Sequence, residues 1–139
     1  MCSLVASSTR MQKRMLHRSS LQETENASAA VAKSPDTRVK LSDIEANIAC
    51  VYYATGDQIA GRGRGHPSLN VLTVCVLTMQ NGFTVVGKAA PADEMNFNPE
   101  LGRKFAYEDA VRQCWPLMGY ELRERLFRER GLTKPEIPA

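Results

Sequence analysis

The dipeptide Asn81-Gly82 constrains this chain more than any other pair of residues. It lies between two runs rich in β-branched side chains, Val71 to Met79 and Phe83 to Val86. Asn-Gly tolerates positive φ at both central positions of a type I′ turn, so the pattern predicts a β-hairpin. With Gln80 and Phe83 flanking a two-residue turn, Met79 would face Thr84 and Thr78 would face Val85. Leu72, Val74, Val76 and Thr78 then share one face, and Val71, Thr73, Cys75, Leu77 and Met79 share the other. Neither face is polar throughout. A two-stranded hairpin is marginal in water, so a third strand or pairing between copies through the hairpin edge is expected.

Helices are expected on both sides of the hairpin in sequence. Ser42-Asp43-Ile44-Glu45 fits a capping box with Leu41 as the preceding apolar residue. Ile44, Ile48, Val51 and Tyr52 continue it at 3-to-4 spacing, so the spacing predicts a helix ending near Ala54, with Thr55-Gly56 as its stop. Asn98-Pro99-Glu100 provides an N-cap, a proline at the first helical position and an acid near the positive dipole end. Leu101, Phe105, Val111, Cys114 and Trp115 form the apolar side of that helix. Lys104–Glu108 and Glu108–Arg112 are its exposed i,i+4 pairs. Pro116 is expected to break it, Leu117 to Tyr120 to form a corner, and Glu121 to Arg130 to form a last helix capped by Gly131. The fold class is therefore α+β: an N-terminal helix, an antiparallel hairpin, and two C-terminal helices packed on one face.

Charge divides the chain. Residues 1–40 carry seven Lys/Arg against three acids, leaving eleven against twelve for the other residues, so the net charge of +3 comes from the leader and not the domain. That near-neutral domain lacks a global nucleic-acid signature. Residues 1–40 read as a disordered basic extension, 41–130 as one domain and 131–139 as a tail. Met1–Ser20 has the acid-free composition of an organellar leader; the plainer reading is a disordered tail or an over-extended gene start, with Met11 and Met15 as alternative initiators. A short helix near Met11–Leu16 and a turn at Ser34-Pro35-Asp36 are the only local features read there. The four cysteines stand singly, without metal spacing, among apolar neighbours, as buried reduced thiols do. Reduced thiols point to a cytoplasmic protein, and since no apolar run approaches the roughly 18–20 residues of a spanning helix, no membrane partner is expected.

No catalytic, cofactor or metal constellation stands out. His66 has no ligand partner at metal spacing. An enzyme would need a pocket joining His66 or a cysteine to a carboxylate, and Asp93, Glu94, Glu100, Glu108 and Asp109 read as surface acids. Gly61 to Gly65 is not a phosphate loop, since no Gly-Lys-Ser/Thr follows a strand. It reads first as a solvated connector. Its Arg62 and Arg64, with Arg103 and Arg112 from the following helix, are the candidate contacts to a phosphate, a small nucleotide signal or nucleic acid.

Thr73-Val74-Cys75-Val76-Leu77-Thr78, Asn81-Gly82-Phe83-Thr84-Val85, Asn96-Phe97, Gly102-Arg103-Lys104, Glu108-Asp109-Ala110-Val111 and Trp115-Pro116-Leu117-Met118-Gly119-Tyr120-Glu121-Leu122 together resemble a family of small tailed-phage and prophage proteins. It is typified by gene product forty-nine of phage N-four and gene sixty-six of phage Sf-six. The resemblance covers roughly Ile44 to Leu126. Gly87-Lys88-Ala89-Ala90-Pro91 stands where members usually carry a Gly-Glu-Ser-Ala-Cys-like segment and an Asp/Ser-Pro turn, so no role passes to that loop. The resemblance implies an accessory protein inside a bacterial host, which counts against an organellar leader. It brings no reaction, cofactor or catalytic residue. The expectation is a non-catalytic module that binds a host or phage macromolecule.

Overall fold

The computed structural model describes residues 20–34 and 37–131. The readings of Met1–Ser19, of a helix near Met11–Leu16, of Pro35-Asp36 and of the tail beyond Gly131 lie outside them. At the centre runs β2 (Thr73–Met79), with β1 (Ile48–Thr55) on one side and β3 (Thr84–Ala89) on the other, all antiparallel. The expected hairpin is β2–β3, and the third strand it required is β1. Helices α1 (Ser20–Val31), α2 (Leu41–Asn47) and α3 (Gly56–Ala60) lie earlier in the chain, and α4 (Pro99–Glu129) closes the fold. The class is α+β.

The segment around β1 corrects the sequence reading. The helix there stops at Asn47, and Ile48–Thr55 is strand. Its β-branched and aromatic residues pair with β2, Val51 opposite Leu77 and Tyr53 opposite Cys75. A continuous apolar run of this length fits either period, and the free edge of β2 decided for strand. The helix start also differs: Lys40 is the N-cap of α2, and the Asp43 carboxylate accepts the Lys40 N–H at 2.9 Å. Thr55 ends β1 and caps α3. Its Oγ1 accepts the Gln58 N–H at 3.3 Å while Gln58 Oε1 accepts the Thr55 N–H at 2.9 Å.

The hairpin turn has three residues rather than two. Met79 N–H donates to Phe83 O at 2.8 Å, Gly82 N–H donates to Met79 O at 2.9 Å, and Gly82 alone has positive φ, 86°. This geometry is a three-residue loop with glycine in the left-handed position. Thr78 therefore faces Thr84 and Leu77 faces Val85, one residue away from the expected register. Gln80 takes part in the change, since its N–H donates to Asn47 O at 2.8 Å and is drawn towards the start of β1.

One sheet face forms the core. Cys75, Leu77, Met79 and Val85 are buried against Ala106, Ala110, Val111 and Cys114 of α4, with Ile44 of α2 and Leu21 of α1. Gly87 is where helix and sheet come closest. A Cβ there would lie 2.1 Å from Ala106 O and 2.5 Å from Ala110 N, and one at Gly102 would lie 2.6 Å from Thr73 Oγ1. This contact explains why the buried stripe of α4 is Ala106, Ala110, Val111 and Cys114, while Leu101 and Phe105, expected inside, stay exposed. Larger side chains at the contact would hold the helix off the sheet.

Helix α4 is one element of 31 residues, so Pro116 neither breaks it nor leaves a corner at Leu117 to Tyr120. Both flanks of the proline are anchored: Trp115 Nε1 donates to Val39 O at 3.1 Å, Asn47 Nδ2 donates to Met118 Sδ at 3.7 Å, and Leu122 is buried. These contacts offset the one lost backbone bond. Gly131, at φ 62°, follows the helix end as expected.

Helix α1 falls within the stretch expected to lack structure, and its attachment is largely polar. Glu25 Oε1 accepts from Arg38 Nη2 at 2.8 Å, and its Oε2 accepts the Leu41 N–H at 3.0 Å, satisfying a donor at the start of α2. Only Leu21 of α1 is buried. The Arg38 hydrogen bond holds the Glu25 carboxyl below its ordinary value; the Leu41 amide acts in the same direction and burial opposes both.

Two outcomes test this scheme. Gly87→Ala is expected to cost about 1–3 kcal/mol, read as a lower denaturant midpoint at unchanged slope. A variant as stable as the parent would show that α4 is not seated there. A carboxyl whose value is lower folded than unfolded stabilises above its unfolded value and loses that contribution as pH falls through its folded value. Glu25→Gln should therefore be less stable than the parent at neutral pH, with the gap closing below about pH 4; a pH-independent gap would remove Glu25 as its source.

Candidate functional site

Among the described residues, the helices cover one face of the sheet and leave most of the other open. Cys50, Tyr52 and Ala54 of β1 oppose Thr78, Val76 and Val74 of β2, and β3 continues the same face with Thr84, Val86 and Lys88. Tyr52 is 62% exposed and Val86 52%. Val74, Val76 and Thr78 are half-buried, and Ala54 is buried. The outcome is a pleated surface carrying an aromatic side chain and three valines, with one charge, Lys88, at its margin. Alternation along β2 foretold that both faces would be apolar, but the contribution of Tyr52 was hidden while β1 was read as helix.

The candidate arginines do not form one site. Arg62 and Arg64 are exposed on the loop after α3. That loop already contains an acceptor: Asp57 Oδ1 takes the Gly63 N–H at 3.2 Å, which sets a carboxylate against the amide a phosphate would use. Arg103 lies near Tyr53 at the start of α4. Arg112, nine residues further along α4, is about 13.5 Å away along the axis and half a revolution round it. Its Nη2 donates to Ser20 Oγ at 2.7 Å and lies 3.6 Å from Glu108 Oε2.

Glu108 corrects its assignment as a surface acid, being only 4% exposed. Its Oε2 accepts from the Ser20 hydroxyl at 3.0 Å, and its Oε1 has no hydrogen-bond partner among the described residues. Ser20 is the first residue of α1, so this cluster fastens the start of that helix to α4.

His66 has a local role. Its Nδ1 accepts the Ser68 N–H at 3.2 Å and sits 2.7 Å from Ser68 Oγ, capping a short 3₁₀ turn, Pro67–Val71. Beside that turn runs an open groove of about 310 Å³, lined by Leu69, Val71, Leu72, Ala90 and Pro91, with Glu94 as its charged member. Among the described residues no group of three His, Cys, Asp or Glu side chains is placed to hold a metal. None of the helices described is long and apolar enough to cross a membrane.

Cys75 and Cys114 are buried free thiols on the core side. Burial pushes Cys75 up to about 12 and also raises Cys114. Thiols so placed are poor nucleophiles. Burial likewise raises the Tyr53 and Tyr107 hydroxyls beyond the usual tyrosine range. Alkylation of the native protein near pH 8 should leave Cys75 and Cys114 unmodified until denaturant is added, as peptide mass mapping would show; rapid labelling of either would contradict the packing of α4 on β2.

No curated protein and no solved structure matches the chain. A family model does, that of the Phage protein (N4 Gp49/phage Sf6 gene 66) family, over residues 39–126. The match begins just before α2, spans the whole sheet and ends near the end of α4. With most of the sequence and every strand inside it, the chain belongs to this phage protein family.

Proposed function

We propose that this chain is a phage accessory protein that acts in the host cytoplasm as a non-catalytic binding module, with the open sheet face as its docking surface for a host or phage macromolecule. The observation that carries this reading is the exposure of Tyr52 and Val86 on a face they share with Val74, Val76, Thr78 and Thr84, with Lys88 as its one charge. Side chains of this size stabilise a contact by about 1.5–3 kcal/mol each when fully buried. Aromatic anchors of this kind dominate protein interfaces.

Arg62 and Arg64 support a second reading, contact with a small nucleotide or with nucleic acid, because both are exposed on one short loop. The Asp57 carboxylate at that loop opposes it.

Capture from phage-infected host lysate with the parent chain and with Val86→Lys separates these readings. Val86 is exposed, so the lysine should leave the fold intact. A partner recovered repeatedly by the parent and lost with Val86→Lys is the expected result. Equal recovery by both, or no recurring partner, overturns the face as a docking site. Calorimetric heat with single-stranded DNA or a cyclic dinucleotide that disappears in an Arg62→Ala, Arg64→Ala double variant would favour the second reading instead.

A further inference from the structure

The two outer edges of the sheet are treated differently. In an antiparallel ladder, residues whose amide and carbonyl meet the neighbour alternate with residues whose groups point away. Met79 N–H donates to Phe83 O, so in β3 the groups of Thr84, Val86 and Lys88 point outward. Helix α4 caps two of them. Gln113 Nε2 donates to Val86 O at 2.8 Å, and Asp109 Oδ2 accepts the Lys88 N–H at 2.9 Å. This edge is closed to another strand.

Among the described residues, the β1 edge has no such cover from a helix. Gly56 N–H donates to Leu72 O at 2.9 Å, and the register carries that phase back along β1, so Ala54 and Tyr52 point their groups inward and Tyr53 and Val51 point theirs outward. Gln58 caps the outward Thr55 N–H. Among the described residues, the main-chain groups of Val51 and Tyr53 meet no side-chain cap. Helix α4 packs chiefly on β3 and β2. The strand has eight residues, Ile48-Ala49-Cys50-Val51-Tyr52-Tyr53-Ala54-Thr55, with neither a charge nor a proline. Exposed edges normally carry one or the other as protection against pairing.

We infer that the β1 edge is an interface for a second copy of this chain, joining two sheets into one of six strands. Mutual pairing of the outward groups sets Val51 of each copy opposite Tyr53 of the other. That register places Tyr52 on the two-fold axis against Tyr52 of the second copy. It also keeps each side chain on its own face, since paired residues have the same parity. A second copy fits this edge better than a foreign peptide because the strand is its own complement in this register: no charge lies between Ile48 and Thr55, and each outward amide meets an outward carbonyl of the same segment. The open faces then merge into one surface with Tyr52 side chains at its centre. This inference is independent of what docks on that face.

Sedimentation of the full chain up to about 100 µM tests it. The parent is expected to be a dimer. Tyr52→Lys, which sets two ammonium groups against each other on the axis, should weaken association at least about tenfold with an unchanged circular dichroism spectrum. Tyr52→Phe and Val86→Lys should both remain dimers. Tyr52→Cys in a Cys50→Ser background should give a disulfide-linked dimer on mild oxidation, because a non-hydrogen-bonded pair sits about 4.5 Å apart at Cα, within disulfide reach. A parent that is monomeric at the highest concentration overturns the inference, as does a dimeric Tyr52→Lys. A monomeric Val86→Lys also overturns it, since that would place the contact on the face and not on the edge.

Discussion

The contact between Gly87 and the backbone of α4 at Ala106 and Ala110 governs the rest of this structure. It is a meeting of backbones, with no side chain between them at the closest point. Small residues on both elements let the helix sink until Val111 and Cys114 reach Cys75 and Leu77. The same depth brings Asp109 and Gln113 level with the outer edge of β3, where they cap its main chain. One steric condition thus sets the core, the orientation of α4 and the closure of an edge.

Polar joints hold what the core does not reach. Helix α1 buries only Leu21, and it is fastened through Glu25 to Arg38 and Leu41, and through Ser20 to Glu108 and Arg112. Such joints act at fixed points, in contrast to the diffuse contact of an apolar stripe. Their pairing in sequence spans 88 residues for Ser20 and Glu108, so no local pattern announces them.

What the sequence revealed followed the length scale of each signal. The cap at Asn98 and the glycine stop at Gly131 are decided by neighbouring residues and stand where expected; the turn at Gly82 is in place but one residue longer than its dipeptide implies. Ile48 to Thr55 was illegible because Ile44, Ile48, Val51 and Tyr52 satisfy a helical period as well as a strand. The choice was made by β2, whose paired residues lie 18 to 31 positions away. Pro116 misled for a related reason: its local cost is certain, but Trp115, Met118 and Leu122 offset it through tertiary contacts. Leu101 and Phe105 were read as part of the apolar side of the helix, whereas the close approach at Gly87 selected alanine. Of the candidate site, the apolar character of both faces of β2 was legible. The family resemblance was carried largely by that strand and by α4, and the family match spans both.

The three-residue turn at Gln80 to Gly82 has a role beyond reversing the chain. Side chains on a strand alternate, so the number of residues in this turn decides the parity of β3 against β2. With three, Val85 and Gly87 look inward. With two, Val86 and Lys88 would take their places, and an ammonium-tipped side chain would stand where α4 now touches bare backbone. Loop length is therefore an address, delivering the one residue without a side chain to the one place that can accept nothing larger.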